Sequence, residues 1–299
     1  MCKILKKKLE SIRAKIFQPF FRKMCGWNEL EERLEAIEYI INKGIDITAF
    51  PKATGLLRQC QNAGAEMLRI VCRALDENNL TYWLDYGTLL GAVRHKGYIP
   101  WDDDLDIAMP RKEYDKACEL LPKELKKYGI EVASANDERI GICIWKAGLI
   151  MDIFPMDNVE ENSVSNYDEL REKTIEYRKY YVKNKKTSIS ELREKKNQMI
   201  GCYSDTNQLW YHNPEFCPDR TVYANDTIFP LKELSFEGYK FKVPNDYDKY
   251  LTETYGDYMS MPKGGVLHHQ GGNGDKGITY NVVNFNTDIE AVTKELRSY

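Results

Sequence analysis

Apolar positions alternate between helical and strand spacing along the chain, and together they predict an α+β protein. Leu30, Leu34, Ile37 and Ile41 recur at helical spacing over residues 28–43, and the stretch Ile45–Pro51 interrupts that pattern. A longer helix is predicted from Gly55 to Glu77, with Leu56, Leu57, Ala63, Met67, Ile70, Val71 and Leu75 on its apolar face. Asp76, Glu77, Asn78 and Asn79 close it, and Leu80–Tyr86 reads as a strand. "GTLLGAVRHKG" reads as a short helix turning into a basic loop, "WDDDLDIAM" as a second strand, and "RKEYDKACELLPKELKKYG" as a helix. "RIGICIWKAGLIMDIFPMD" predicts a pair of strands folded back at Ala147-Gly148.

Residues 159–228 are charged and rich in Tyr and Lys, with few strand signals, which predicts a helical insertion. Short strands ("FEGYKFKVP"), a helix ("DYDKYLTETYG") and a Gly-rich stretch at 264–277 follow Phe229. The expected organisation is a basic, helical N-terminal region (1–54), a core (55–158), the insertion (159–228) and a C-terminal part (229–299) that completes the core's domain.

Composition narrows the function. Of 299 residues 42% are hydrophobic and 12% aromatic, enough for a packed core and against disorder. The net charge of −3 gives no basic footprint for nucleic acid. No run approaches the roughly 20 apolar residues of a membrane span. Residues 1–24 differ: eight basic residues against one acid, Glu10, interleave with Ile4, Leu5, Leu9, Ile12, Ile16, Phe17, Phe20 and Phe21. Two readings stay open there, an amphipathic segment lying on an anionic membrane surface and a first helix with a solvated basic face.

The eight cysteines are scattered, several within apolar helical patterns, with no leader-like segment ahead of them. Free thiols in a reducing cytoplasm are expected. Cys202, His212 and Cys217 lie close in sequence but match none of the usual zinc spacings.

The candidate chemistry is acidic. Alternate strand residues share a face, so Asp104 and Asp106 project together while Leu105 and Ile107 enter the core, and Asp152 projects between Met151 and Ile153. At ~4 Å and an effective dielectric near ~20, each like-charged pair costs ~4 kcal/mol. A divalent cation removes that cost, and Mg2+ (or Mn2+) suits a few carboxylates plus phosphate oxygens. Gly87-Thr88 follows a strand and opens a helix, a place where backbone amides hold an anion and Thr88 offers a hydroxyl. Arg94, His95 and Lys96, read as an exposed basic loop, could neutralise a diphosphate. Strand, Gly-Thr, short helix and a strand with Asp-h-Asp is the general nucleotidyltransferase signature.

"LDYGTLLGAVRHKGYIPWDDDLDIAM", continued by "R.EYDKA", "MDIFPMD" and "FPLKELSFEGYKFKVPNDYDKYLTETYGDYMSMP", closely resembles the LicD family of phosphotransferases, to whose wider group fukutin-related proteins belong. The resemblance covers roughly residues 55–158 and 229–262. It implies a nucleotidyltransferase-like mixed sheet flanked by helices. It also implies transfer of a phospho-alcohol, typically phosphocholine, from a CDP-linked donor to a hydroxyl of a cell-surface glycan or teichoic acid precursor, free or lipid-linked, releasing CMP.

On that resemblance Asp104 and Asp106 are the metal pair and Asp152 the third acidic position, while Gly87 and Thr88 form the phosphate turn. Arg94, His95, Lys96, Trp101, Asp102 and Asp103 match the rest of the central motif. His268 and His269 resemble a C-terminal His pair, with "KGGVL" breaking the usual spacing. Asp152 is the expected proton acceptor and Asp85 the alternative. A choline headgroup would want aromatic faces, of which Trp101, Trp145 and Tyr86 are nearest the motifs. The expected location is the cytoplasm, peripheral to the inner membrane face through residues 1–24. Two rivals are weighed: a metal-dependent glycosyltransferase using the Asp-x-Asp on a sugar nucleotide, and a non-catalytic glycan-binding protein on a decayed fold.

Overall fold

The computed structural model describes residues 44, 46–159, 167–184, 187–201, 209–212, 222–260 and 287–299. Residues 1–24, the 28–43 helix, Cys202, Cys217, the 264–277 stretch, His268 and His269 lie outside these described residues. The chain divides into two units, Met1–Ala49 and Phe50–Tyr299. Of the first unit's elements, the described residues include the 3-10 turn Ile47–Ala49.

The second unit is built on a mixed sheet flanked by helices. Its elements begin with α1 (Gly55–Glu77), β1 (Trp83–Leu84), α2 (Tyr86–His95), β2 (Asp106–Pro110) and α3 (Arg111–Glu124). Strands β3 (Glu131–Ala135), β4 (Ile140–Ile144) and β5 (Leu149–Val159) follow. Helices α4 (Tyr167–Lys183) and α5 (Ile189–Ile200) lead to β6 (Leu209–His212), β7 (Val222–Ala224) and the short α6 (Asn225–Ile228). The hairpin β8 (Lys232–Phe236) and β9 (Tyr239–Val243), then α7 (Tyr247–Tyr255) and α8 (Ile289–Arg297), complete the described residues.

The sheet runs β1-β2-β5-β4-β3, with β6 and β7 added beyond the far half of β5, while β8 and β9 form a separate two-stranded ribbon. Strands β2 and β5 pair in parallel and the other pairs are antiparallel. Eleven-residue β5 is the spine: Leu149–Ile153 pairs with β4 and Met156–Val159 with β6. Gly148 takes φ 65°, a left-handed turn that returns the chain from β4 into β5 and that glycine adopts without steric cost. Leu105, Ile107, Met151 and Ile153 are buried, the last three as strand parity predicts. On the other side of the core, α1 contributes Ala63, Met67, Leu68, Ile70, Val71 and Leu75.

The structure differs from the sequence reading in three places. Strand β1 is only two residues long, because Asp85 caps a helix that already includes Tyr86. "WDDDLDIAM" is a strand only from Asp106 onward, so its first carboxylates sit on a loop. The segment expected to be a helical insertion also supplies β6 and β7, which extend the main sheet.

A buried ion-pair network ties that segment down. Fully buried Lys196 on α5 donates to Asp157 Oδ2 on β5 at 2.7 Å. Arg111 donates to both Asp157 oxygens and to Asp137, and Arg193 bridges Asp137 and Asp115.

Candidate active site

Two adjacent parallel strands start the site. Asp106 and Asp152 are register partners on β2 and β5, which sets their backbones about 4.8 Å apart and their side chains on one face. The Asp152 amide donates to Leu105 O at 2.8 Å, locking that register. Asp85 caps α2, its Oδ1 accepting from the Tyr86 amide at 2.9 Å and from the Tyr250 hydroxyl at 2.8 Å. Its own amide donates to Asp106 O at 3.1 Å. Thr88 is buried, and its hydroxyl accepts the Asp106 amide at 2.8 Å. Its lone pair therefore joins the helix start to the acidic strand, while its O–H is the group expected to donate to phosphate.

The run Trp101–Asp104 is held as a loop over this face. Gln61 Nε2 on α1 donates to Ile99 O at 3.3 Å and to Asp102 O at 2.9 Å, and the Asp102 amide donates to Ile99 O. Asp102 is only 5% exposed, and its Oδ2 lies against the bare Cα of Gly87, where a Cβ would approach to 2.6 Å. Gly87 thus makes room for a carboxylate, whereas the sequence suggested room for a phosphate. Its neighbour Tyr86 has φ 39°, a left-handed conformation that costs a bulky residue energy and that collects at functional sites. The Tyr86 ring meets Phe154 edge-on, centroids 5.3 Å apart.

These contacts gather six carboxylates. Burial, then Asp104, Asp102, Asp85 and Asp152, push the Asp106 carboxyl well above the usual carboxylate range. Burial, then Asp104 and Asp103, do the same to Asp102. Among the described residues, Asp102 Oδ1 is buried with no hydrogen-bond partner, which is rare in folded proteins. Repelling carboxylates around an orphaned oxygen are the environment that a divalent cation relieves, so these residues fit a hard, oxygen-preferring metal such as Mg2+.

The grouping differs from the expected Asp104, Asp106 and Asp152. Among the described residues, the three acids that bring ligand oxygens within 4.8 Å of one another are Asp102, Asp103 and Asp104. Asp106 faces them electrostatically. Asp152 Oδ2 accepts from Arg139 Nη1 at 2.7 Å, a partner that the sequence did not suggest.

Arg94 also departs from expectation. The structure places it in the last turn of α2, buried, where an exposed loop was expected. Burial lowers Arg94 to about 10 and His95 to about 4, and Arg94 pushes His95 in the same direction. Lys96 is the exposed, left-handed cap of that helix. Trp101 is half-buried, its ring edge-on to Phe50 at 5.7 Å, and Trp145 is exposed.

One positioning residue escaped the sequence reading. Glu237, at the tip of the β8–β9 hairpin, accepts both Arg58 terminal nitrogens at 2.9 and 2.6 Å and Lys52 at 2.8 Å. It also accepts the Tyr98 amide and donates its own amide to Lys96 O at 2.9 Å. Burial would raise the Glu237 carboxyl, but Arg58 and Lys52 outweigh it and hold it at about 2. The hairpin thereby clamps the loop that leads into Trp101–Asp104.

Residues 79–187 match the family described as LicD/FKTN/FKRP, nucleotidyltransferase domain. The chain is 29% identical to the lipopolysaccharide cholinephosphotransferase LicD of Haemophilus influenzae, across 69% of this chain and 92% of that protein. It is 26% identical to the ribitol 5-phosphate transferase FKRP of Homo sapiens, across 66% of this chain and 32% of that protein, and equally so to its Mus musculus counterpart.

Proposed function

We propose that this member of the LicD family transfers a phospho-alcohol from a CDP-linked donor to a glycan hydroxyl and releases CMP. The observation that carries this reading is the cluster of carboxylates, Asp102, Asp103 and Asp104 with Asp106 beside them, gathered at the buried Asp102 Oδ1, which meets no hydrogen-bond partner among the described residues. A cluster of that many carboxylates is suited to a metal-bound diphosphate. The names of the relatives agree on the cargo class: one moves phosphocholine and the other ribitol 5-phosphate, both phosphorylated alcohols. Phosphocholine is the first cargo to test, because the LicD relative aligns over nearly its whole length.

Asp102, Asp103, Asp104 and Asp106 would hold the metal. Bound Mg2+ would supply charge neutralisation at the diphosphate and the departing CMP. The chain's own groups do the rest. The acceptor oxygen attacks the alcohol-bearing phosphorus, and the bond from that phosphorus to the CMP oxygen breaks. The hydroxyl proton passes to Asp152, which stands beside Asp106 on the next strand with Arg139 fixing its carboxylate. Asp85 is a positioning group in this scheme, since it is buried and its Oδ1 already accepts two donors. Tyr86 and Trp101, which flank the motifs in sequence, offer aromatic faces for a cationic alcohol.

Among the described residues, no helix is long and apolar enough to cross a membrane. The basic, apolar segment 1–24 gives the chain a means of lying on the anionic inner face, near lipid-linked acceptors.

The test is direct. The protein is incubated with Mg2+ and a panel of CDP-alcohols beside sugar nucleotides, and CMP is followed with and without chelator. CMP from a CDP-alcohol, abolished by chelator, is expected. Turnover of sugar nucleotides alone would favour the glycosyltransferase reading, and chelator-resistant turnover would refute the metal site.

A further inference from the structure

Basic side chains in a helix's last turn normally reach into water, where the helix dipole favours them. Arg94 and His95 occupy that turn of α2 but do not reach out. Arg94 is 6% exposed, and among the described residues its Nε and Nη2 are buried without a hydrogen-bond partner. Both ring nitrogens of His95 are buried and unpartnered there as well. Four such nitrogens on two consecutive residues are far from what packing alone tolerates, since native chains leave few buried polar groups unpaired.

The groups that act electrostatically on Arg94 are the phenols of Tyr255 and Tyr258, at and just beyond the end of α7. The Tyr258 hydroxyl is already committed to Asp248. Thr88 lies in the first turn of α2 beside the carboxylates and Arg94 in its last turn. Thr88 and Arg94 are six residues apart, about 9 Å along the axis at the helical rise.

We propose that Arg94 and His95 form the seat of a second anion, a phosphate group bound without metal and separate from the diphosphate at the carboxylates. This assignment rests on the phosphotransferase reading for its choice of phosphate over other anions. The guanidinium fork suits a tetrahedral oxyanion, since two parallel N–H donors meet two of its oxygens. The donor's two phosphates are both in the diphosphate, so the second phosphate belongs to a phosphorylated acceptor.

Full-length protein in chelator is titrated calorimetrically with inorganic phosphate, a hexose 1-phosphate and CMP. Phosphate and hexose phosphate should bind with no metal present, and Asp104→Asn should bind them as the parent does. Arg94→Gln should weaken binding about ten-fold or more, the usual worth of a charge-assisted contact. Arg94→Lys keeps the charge without the fork, so it should fold and fall between. His95→Asn supplies a second route if Arg94→Gln does not fold. Simultaneous binding of CMP and hexose phosphate is expected, and competition between them would place the donor's own phosphate at Arg94 and overturn the proposal.

Binding that requires Mg2+, binding untouched by the Arg94 and His95 substitutions, or no phosphate binding at all overturns the proposal. A protein that binds phosphate through Arg94 but releases CMP from no CDP-alcohol would sink the transferase reading and leave the anion seat standing.

Discussion

Replacing Lys196 by Met should unseat the segment that follows β5 without touching the chemistry. Lys196 and Asp157 are both fully buried and 2.7 Å apart. Burial alone would raise the Asp157 carboxyl, but Arg111 and Lys196 outweigh it and hold it at about 2 against an ordinary 3.8. That depression corresponds to about 2–3 kcal/mol of stability. Because the folded value is the lower one, the contribution is complete above about pH 4 and is lost as pH falls toward 2. Lys196→Met strips the nearer of two cations from a buried carboxylate, leaving Asp157 Oδ2 only the Arg111 Nη2 at 3.2 Å, a change that costs up to ~3–5 kcal/mol. For a unit of this size each kcal/mol is worth about 2–4 °C, so the melting temperature should drop by up to roughly 6–20 °C. Circular dichroism melts at pH 7 read this. The loss should shrink in the same melts at pH 3, where the parent has begun to lose the same contribution. Asp152 is five strand residues away, about 16 Å, so CMP release well below the melt should persist. A Lys196→Met melt within about 2 °C of the parent would refute the argument that this network anchors α5.

Three further expectations concern the site. Gly87→Ala sets a Cβ 2.6 Å from Asp102 Oδ2, so CMP release should fall by an order of magnitude or more while the fold persists; unchanged turnover would mean that Asp102 can move at no cost. Glu237→Gln removes the charge clamped by Arg58 and Lys52, so kcat should fall together with Mg2+ affinity as the Trp101–Asp104 loop slackens. A lowered melt with unchanged kinetics would reduce Glu237 to an ordinary ion pair. Asp102 and Asp106 hold their protons well above the usual carboxylate range, so protons should compete with Mg2+ in mildly acidic buffer. Calorimetric Mg2+ affinity should therefore drop between pH 7.5 and 5.5, and a flat profile would show that neither carboxylate meets the metal.

Some of this was legible from local pattern alone, and the pattern explains where it stopped. Helix α1 occupies the residues that apolar periodicity assigns, because its buried stripe is set by spacing within one element. Strand parity correctly buries Ile107, Met151 and Ile153, and it brings Asp106 to the face where its partner Asp152 stands. Parity says nothing outside a strand, however, and β2 begins only at Asp106. In "WDDDLD" it could not single out Asp102, whose burial depends on Gln61 and on the missing side chain of Gly87. Arg94 was misread for a related reason. Polar residues after a short apolar helix look like a loop, but the helix continues to His95 and packs its last turn against the body. The Asp152–Arg139 pair and the Glu237 clamp join residues 13 and up to 185 positions apart, contacts that no spacing rule encodes. What sequence supplies here is the inventory of carboxylates and the direction of a few of them. Whether a given carboxylate meets a metal, a guanidinium or a neighbour's amide depends on which loop is clamped above the sheet. Glu237 holds the segment that leads into Trp101–Asp104, so changing the hairpin tip should alter Mg2+ binding at the proposed site without changing any of its proposed ligands.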